Sequence, residues 1–248
     1  RAAVLVWTTT PWTLPANLAV AFQAKLEYVL VQVSGSAIGD RALILARARL
    51  AAVLKDLKVQ EHEVLGAWSG AELVAAGLVC ETPFGHVPSF PHRESKGVLA
   101  DYVSAEDGTG IVHTAPGHGE DDFLTGRREG LPVLCPVDPA GRFTEEAGPA
   151  LRGLHIFKEG NPAVIDALSK EGRLAPVGDI EHSYQHCWRC KTPIAFRATE
   201  QWFLSVSAQG LREKLLKAID GVQWVPAMGR ERIASMVAGR PDWCLSRQ

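Results

Sequence analysis

Short runs of apolar and β-branched residues, separated by turns rich in glycine and proline, dominate the first two thirds of the chain. Such runs are typical of buried strands, whereas apolar residues at helical spacing over longer stretches favour helices. Strands are predicted on this basis at 4–7, 18–22, 28–33, 59–67, 111–115, 133–137 and within 194–206. Helices are predicted at 41–54, 72–76, 120–128, 161–171, 211–219 and 230–238.

A threonine-rich segment follows the first predicted strand. Thr8, Thr9 and Thr10 continue the apolar run 4–7, and alternation along a strand would place Thr8 and Thr10 on one face. Pro11 favours an extended Thr10 and ends the strand pairing, so the segment presents hydroxyl groups from a stiff piece of chain. Threonine is also a good strand former, and an ordinary strand end explains this run when it is taken alone.

A second informative stretch, GTGIVHTAPGHGEDDF, occupies residues 108–123. Its pattern predicts a strand, a glycine-rich turn and a helix with an acidic first turn, with His113 close to the end of the strand. Carboxylates at a helix N-terminus are favoured by the helix dipole, so Glu120, Asp121 and Asp122 have a purely structural explanation. The glycine spacing matches neither the Walker loop nor the dinucleotide fingerprint, which argues against a phosphate loop.

Both stretches resemble motifs of the isoleucyl-tRNA synthetase editing domain. TTTPWTLPAN at 8–17 is similar to the threonine-rich peptide of that domain, in which valyl and leucyl relatives carry arginine at the position of Thr10. The stretch 108–123 is similar to its GTGIVHTAPGHGEDD motif, which ends on the aspartate that the family uses to hold the amino acid, here Asp122. DWCLSRQ at 242–248 resembles the WCISRQ segment where the synthetase chain re-enters its nucleotide-binding core, so we expect an excised piece of a longer protein.

The resemblance implies an editing domain that hydrolyses valine mischarged on tRNA(Ile), and it leaves open whether valyl-adenylate is also cut. Neither the HIGH-type nor the KMSKS-type ATP motif is found in the sequence, so we do not expect this piece to form aminoacyl-adenylate. ATP and Mg²⁺ would belong to the parent catalytic core, and no cofactor is expected for editing. No serine stands in a recognisable motif with a histidine and an acid, so positioning of the labile ester is expected to carry much of the acceleration.

The resemblance also assigns roles to residues of both motifs. Asp122 would accept hydrogen bonds from the α-ammonium group of the misattached valine. His113, Trp7 and the threonine methyl groups would form a wall that admits valine and excludes isoleucine, while the threonines and Asn17 would hold the terminal adenosine and orient a water molecule. The candidate catalytic residues are Thr8, Thr9, Thr10, Asn17, His113 and Asp122, and the candidate substrate-binding residues are Asp122, His113, Trp7, Thr8, Thr9 and Thr10.

The role of His113 has two interpretations. On residue types alone, a strand histidine is more often a packed or hydrogen-bonded side chain than a functional one. The family motif favours contact with the substrate, and whether His113 also acts as a base stays open.

Two alternative functions have distinct consequences. A valyl-type or leucyl-type editing domain would prefer threonyl or norvalyl esters, and Thr10 together with His113 argues against it. A non-catalytic module that docks the tRNA acceptor end through the basic segment 182–248 would bind RNA without deacylating it.

The five cysteines are odd in number and irregularly placed, which favours reduced thiols over a disulfide framework. Cys187 and Cys190 form a CxxC knuckle, which supplies half of a tetrahedral zinc site. In the synthetase family this knuckle resembles the second pair of a four-cysteine site whose first pair would precede residue 1, so we expect this chain to bind zinc poorly. His86 and His92 lack a ligand pattern that would complete a metal site.

Charge divides the chain into two parts. Residues 182–248 carry ten Lys or Arg and five Asp or Glu, a net +5, whereas 1–181 carry sixteen and twenty-three, a net −7. We therefore predict an editing domain at 1–181 and, at 182–248, a connective segment that returns to the catalytic core and holds half of a zinc knuckle. The expected fold is mixed α/β, a twisted barrel-like sheet with helices on its outside and an incomplete trailing segment.

Composition and the N-terminal sequence bear on location and partners. The chain has no signal-peptide pattern and no apolar stretch of about 18 residues, so a cytoplasmic protein without membrane contact is expected. The expected partners are the 3′ acceptor end of tRNA(Ile) and a valyl ester, and the expected state is a monomer.

Overall fold

The computed structural model of the chain describes residues 2–85, 87, 89–176, 178, 181 and 183–246. They form two compact units, Arg1–Ala198 and Thr199–Gln248. The predicted domain boundary at 181/182 falls where residues 177, 179, 180 and 182 lie outside the described ranges. The division into domains 1–181 and 182–248 stays a prediction, and the compact units themselves separate after Ala198.

The first unit contains two four-stranded mixed sheets. Their strands are β1 (Ala2–Val4), β2 (Ala19–Phe22), β3 (Glu27–Ser34), β4 (Arg41–Ala46), β5 (Glu61–Ser69), β6 (Val79–Glu81), β7 (Glu94–Leu99) and β8 (Val112–Thr114). One sheet has the order β1–β4–β3–β5, with β1 and β4 parallel and the other neighbours antiparallel. The other has the order β6–β7–β2–β8, with β2 and β7 parallel. The predicted mixed α/β fold is confirmed, as two sheets rather than one barrel-like sheet.

Helices flank these sheets. The α-helices of the first unit are α1 (Leu50–Asp56), α2 (Gly70–Ala75), α3 (Glu120–Arg128) and α4 (Asn161–Lys170), and a 3-10 helix spans Pro11–Ala16. The prediction for 120–128 matches α3 at both ends. No helix within the described ranges is long and apolar enough to cross a membrane.

A core cluster lies between the two sheets. It joins Val20 and Phe22 of β2 to Tyr28 of β3 and Ala46 of β4. The opposite face of β2 packs in a second cluster through its two alanines, so this central strand is buried on both sides. The Tyr28 hydroxyl donates to the Gly110 carbonyl oxygen at 2.9 Å, which ties the turn before β8 to this core.

The second unit contains two strands, a 3-10 helix at Ala208–Gly210 and two α-helices in its described part. The strands β9 (Phe203–Leu204) and β10 (Trp243–Cys244) pair antiparallel. The predicted helices at 211–219 and 230–238 are confirmed as α5 (Leu211–Asp220) and α6 (Met228–Ala238). Of the strands predicted within 194–206, the structure contains β9 alone among the described residues.

The prediction of one helix over 41–54 is wrong. Residues Arg41–Ala46 form β4, and α1 begins only at Leu50. Alanine, leucine and arginine have high helix propensity, but β4 is paired on both sides, with β1 and with β3. Tertiary pairing that buries Leu43 and Leu45 outweighs that local preference.

The prediction of a strand over 133–137 is also wrong. Val137 alone forms an isolated bridge, with Phe143, and the residues before it have no regular structure. Pro132 and Pro136 flank the apolar run, and proline has no N–H to donate to a strand ladder. The segment instead passes so close to the glycine-rich turn 116–119 that a Cβ placed on Gly117 would collide with the Leu134 carbonyl oxygen.

Strand order brings the two sequence motifs together. The 3-10 helix Pro11–Ala16 leads directly into β2, and β8 pairs antiparallel with β2 at the edge of the sheet. The Leu18 N–H donates to the Thr114 carbonyl oxygen at 3.0 Å and extends this pairing back toward the threonines. Residues a hundred positions apart in the sequence therefore lie side by side where β2 begins and β8 ends.

Candidate active site

A cavity of about 470 Å³ lies where the threonine-rich segment meets β8 and the start of α3. Six of the seven predicted site residues line it, namely Trp7, Thr8, Thr9, Thr10, His113 and Asp122. The structure therefore brings the hydroxyl-rich segment and the acidic helix start to one cleft.

The threonine-rich segment is not a strand. β1 ends at Val4, and the Thr10 N–H donates to Thr8 Oγ1 at 3.0 Å, a local bond that takes the place of a ladder bond. The Thr13 hydroxyl donates to the Thr10 carbonyl oxygen at 2.9 Å at the start of the 3-10 helix. The prediction that Thr8 and Thr10 share a strand face is therefore wrong, although both line the cavity.

His113 is buried on β8 with a defined tautomer. The single hydroxyl hydrogen of Thr13 is donated to Thr10, so Thr13 Oγ1 accepts from His113 Nε2, 2.9 Å away. Nε2 therefore carries the hydrogen, and Nδ1 accepts from the Asn17 side-chain amide at 3.5 Å. Burial lowers the pKa of His113 to about 4, so the ring is neutral at pH 7. Both ring nitrogens therefore have hydrogen-bond partners inside the protein.

Asp122 lies in the first turn of α3, whose N-cap is Gly119. Its Oδ2 accepts a hydrogen bond from the Ala115 N–H at 2.9 Å, which ties the helix start to the end of β8. A Cβ at position 119 would lie 3.2 Å from the Asp122 carboxyl carbon, so the glycine leaves the carboxylate room to fold back. Burial raises the pKa of Asp122 to about 6, because water solvates the charged form poorly there.

The glycine-rich turn 116–119 is held by the chain around residue 197. The Gly117 carbonyl oxygen accepts from the Ala198 N–H at 2.8 Å. His118 Nδ1 lies 3.0 Å from the Phe196 carbonyl oxygen, which can only accept, so Nδ1 carries the hydrogen. His118 Nε2 is buried and has no hydrogen-bond partner among the described residues.

Sequence reasoning missed two polar residues of the motifs that line the cavity, and it also missed Ser183, Tyr184 and Gln185 outside them. Thr13 and His118 both stand inside the two motifs, but nothing in the spacing of either motif distinguishes them from structural residues. The structure shows the place of Thr13 in the site through its contact with His113. It shows that of His118 through the turn that brings this residue into the cavity wall.

Asn17 is the one predicted site residue outside this cavity wall. Its side chain is 2% exposed, and its amide nitrogen donates to the Ala19 carbonyl oxygen at 3.0 Å. Asn17 instead lines a neighbouring cavity of about 1040 Å³. Its contact with the terminal adenosine stays a prediction, and the observed neighbour of its side chain is His113.

Cys187 and Cys190 lie at the tip of a hairpin formed by residues 183–198, which we call the basic hairpin. His186 and Pro193 form its isolated bridge, and the Cys187 N–H donates to the Thr192 carbonyl oxygen at 2.8 Å. Cys190 Sγ lies 2.9 Å from the Thr192 hydroxyl, and this hydrogen bond lowers the pKa of the Cys190 thiol to about 7. The knuckle therefore presents two thiols, one of them easily ionised.

The two thiols are not joined by further potential metal ligands in the part of the chain that the structure describes. No group of three or more His, Cys, Asp or Glu side chains there is arranged to hold a metal ion. Two thiols are fewer than the four ligands of a tetrahedral zinc site, so on their own they do not fit the ion. His86 lies outside the described residues, and His92 Nδ1 is 2.7 Å from the Gly85 carbonyl oxygen.

Comparison with known proteins gives matches along nearly the whole chain. The sequence model of the family "tRNA synthetases class I (I, L, M and V)" matches residues 7–248. The isoleucine--tRNA ligase of Moorella thermoacetica is 48% identical over 246 residues, 99% of this chain and 25% of the relative. Those of Kosmotoga olearia and Erwinia tasmaniensis are each 47% identical, over 98% and 99% of this chain and 25% of each relative. The chain thus spans about a quarter of the length of these curated relatives.

The fold is similar to that of a solved structure. The crystal structure of GlLeuRS-CP1 superposes with a TM-score of 0.50 at 14% identity, and the match covers 72% of this chain and 84% of that chain. At this identity the likeness concerns the fold alone. Because the family model spans both motifs and both compact units, the chain belongs to the class I tRNA synthetases (I, L, M and V).

Proposed function

We propose that this chain is the editing domain of an isoleucine--tRNA ligase and hydrolyses valine misattached to tRNA(Ile). The observation that carries the proposal is that Thr8, Thr9 and Thr10 line the same cavity as Asp122. Hydroxyl donors and one carboxylate around a small cleft suit an aminoacyl ester, which offers a carbonyl oxygen and an α-ammonium group. The relatives are isoleucine--tRNA ligases, which supports isoleucyl-type editing as the context.

Asp122 would hold the amino acid by its ammonium group. A carboxylate with a pKa of about 6 is mostly ionised at pH 7.5, and its poor solvation makes an incoming cation a favourable partner. One oxygen already accepts from the Ala115 N–H, so the orientation of the carboxylate is fixed before substrate arrives. A charge-assisted hydrogen bond to a positioned group is stronger than one to a mobile side chain.

The cavity wall would select by size. One methylene in an apolar pocket is worth only about 1–3 kcal/mol, for which this family's own discrimination of isoleucine from valine is the standard example. A second site that excludes the larger amino acid therefore improves fidelity more than tighter binding does. His113 is suited to such a wall because its ring is held at both nitrogens and cannot easily move aside.

Hydrolysis would proceed by attack of water on the ester carbonyl carbon. The bond to the ribose oxygen breaks, and valine and a free ribose hydroxyl group are released. Thr8, Thr9 and Thr10 supply hydroxyl groups that can orient this water or donate to the developing oxyanion. His113 acts as wall and not as base in this proposal, because its Nε2–H and its Nδ1 lone pair are both engaged.

The remaining features belong to the longer protein. Cys187 and Cys190 would provide half of a four-cysteine zinc site, and zinc bound there would have a structural role. ATP and Mg²⁺ would act in the parent catalytic core, which lies outside the proposed editing cleft. We propose a cytoplasmic monomer whose partner is the 3′ acceptor end of tRNA(Ile).

Deacylation by the 248-residue chain tests the proposal. The chain should release valine from valyl-tRNA(Ile) and leave isoleucyl-tRNA(Ile) intact, and Asp122→Ala should abolish release. Asp121→Ala, at the neighbouring exposed carboxylate, is the matched control and should retain activity. Binding of tRNA without any deacylation would favour a docking module, and a preference for threonyl or norvalyl esters would favour the valyl or leucyl type.

A further inference from the structure

The basic hairpin carries groups that ester hydrolysis does not use. Residues 183–198 include Arg189, Lys191 and Arg197 and no aspartate or glutamate, a net charge of +3. Arg197 is anchored, since its Nε donates to the Val137 carbonyl oxygen at 2.5 Å. Arg189 and Lys191 are exposed near the tip. A compact stretch of one sign of charge attracts a partner of the opposite sign.

The same hairpin exposes aromatic faces. Trp188 is 77% exposed, and the Arg189 guanidinium lies over its ring at 5.0 Å from the centroid. Phe196 is 52% exposed, and Tyr184 is 38% exposed and packs edge-on against Phe157. Large apolar rings that stay in water do not contribute to the hydrophobic core. Several of them on one surface are suited to contact with a ligand. Aromatic rings interleaved with basic residues are typical of surfaces that bind single-stranded nucleic acid.

This surface is continuous with the proposed ester cavity. Tyr184, Ile194 and Phe196 at the base of the basic hairpin line that cavity, while Trp188 lies at the tip. A ligand whose end lies in the cavity can therefore extend along the surface of the hairpin toward its tip. It should carry negative charge along its length and flat groups that stack, which are the properties of an unpaired RNA strand.

We propose that the basic hairpin binds the unpaired 3′ nucleotides that precede the esterified terminal nucleotide of the tRNA. A base stacks on Trp188, and Arg189 and Lys191 contact the phosphates. The proposal rests on the proposed function for the identity of the RNA. It adds the surface that delivers the esterified end, formed by residues outside both sequence motifs.

Binding of RNA by the 248-residue chain provides the first test. The probe is an RNA minihelix with four unpaired 3′ nucleotides, followed by fluorescence anisotropy. Trp188→Ala should weaken binding about five- to tenfold, the loss expected when one base has no aromatic stacking partner, and Trp188→Phe should restore most of it. Arg189→Ala with Lys191→Ala should flatten the slope of log affinity against log salt by about 0.7 for each phosphate that is no longer neutralised.

A second measurement separates delivery from chemistry. The same variants are assayed for hydrolysis of valyl-tRNA and of valyl-adenosine, which lacks the preceding nucleotides. The hairpin variants should raise KM for valyl-tRNA about five- to tenfold, with kcat and the hydrolysis of valyl-adenosine unchanged. Lys55→Glu, at an exposed lysine of α1, is the control for a change of charge elsewhere and should alter neither.

The outcomes distinguish this inference from the proposed function. Equal minihelix binding by wild type and all hairpin variants overturns the inference, and so does equally effective competition by polyglutamate, since an acidic peptide would then be the ligand. Hairpin-dependent RNA binding in a chain that hydrolyses neither ester supports the inference and overturns the proposed function. Hydrolysis of both esters with no effect of the variants on KM supports the proposed function and overturns the inference.

Discussion

The hydroxyl oxygen of Thr13 lies 2.9 Å from Nε2 of His113, one hundred positions further along the chain. This hydrogen bond joins the two sequence motifs inside the protein, and through the Thr13–Thr10 bond it also fixes the carbonyl group at the end of the threonine run. Thr10, Thr13 and His113 of the cavity wall are therefore joined by hydrogen bonds, and the orientation of His113 also depends on Asn17 behind the wall.

Removal of the Thr13 hydroxyl should destabilise the protein. Thr13→Val keeps the shape of the side chain but leaves the buried His113 Nε2–H and the Thr10 carbonyl group without this partner. A buried polar group without a partner costs about 1–3 kcal/mol, so the free energy of unfolding in urea should fall by that amount. Thr13→Ser keeps the hydroxyl and should be destabilised much less. Equal stability of Thr13→Val and wild type would show that these two hydrogen bonds do not stabilise the fold.

Asp122 should make the stability of the first unit depend on pH. The pKa of its carboxyl group is raised from 3.8 to about 6 in the folded protein, so protonation favours folding. This stabilisation is fully present below pH 3.8 and disappears as the pH rises through 6. Between pH 4 and 7.5 the wild type should therefore lose up to about 3 kcal/mol of stability relative to Asp122→Asn, measured by urea unfolding.

Asp121→Asn is the matched control for this measurement, because the neighbouring Asp121 carboxyl group is exposed. The difference in unfolding free energy between Asp121→Asn and wild type should stay nearly constant over the same pH range. At pH 7.5, Asp122→Asn should be more stable than wild type, and it should lose deacylation activity. Parallel pH curves for wild type and Asp122→Asn would show that the carboxylate is well solvated.

Shortening of the His113 side chain should relax the size selection. His113→Ala opens space in the wall of the 470 Å³ cavity, and an extra methylene is worth about 1–3 kcal/mol, or roughly tenfold or more in rate. Hydrolysis of isoleucyl-tRNA should therefore rise at least about tenfold relative to hydrolysis of valyl-tRNA. His113→Gln, which keeps much of the volume, should retain more of the preference. An unchanged ratio in His113→Ala would place the selecting wall elsewhere.

Zinc binding by the isolated chain should be weak. Cys187 and Cys190 provide two thiols, and tetrahedral structural sites use four ligands. Titration against a chromogenic chelator should therefore show no binding that survives competition, and Cys187→Ser with Cys190→Ser should leave the Tm unchanged by zinc or chelator. Tight binding of one zinc ion per chain would show that the chain supplies two more ligands.

The sequence predicts helices with strong local signals well and strands less well. The acidic first turn and the preceding glycine locate α3 at Glu120–Arg128 because capping and charge act within one turn of the helix. Composition alone favours a helix over 41–54. A local pattern of this kind carries no information on the pairing of β4 with β1 and β3. Asn161 has the residue type of an N-cap, yet its side chain accepts from the Trp12 N–H at 2.8 Å, and the helix cap is Gly160.

In the candidate site, too, some residues can be predicted from the sequence and others cannot. The resemblance places Asp122, His113 and the threonines in one cleft, and the cavity contains them all. Thr13 and His118 escape sequence reasoning because their importance arises from contacts with residues far away in the sequence. The geometry of a hydrogen-bonded wall is a property of the assembled fold and leaves no periodic signal in the chain.

The central position of β2 also has a consequence for biosynthesis. Ala19–Phe22 pairs with Glu94–Leu99 on one side and Val112–Thr114 on the other, so both neighbours are made long after β2 itself. Closing loops of this length costs chain entropy before any contact repays it, which makes such pairings slow to form. A nascent chain that has not yet been extended past residue 114 therefore has no cleft to offer, and the proposed hydrolysis can begin only once the sheet is complete.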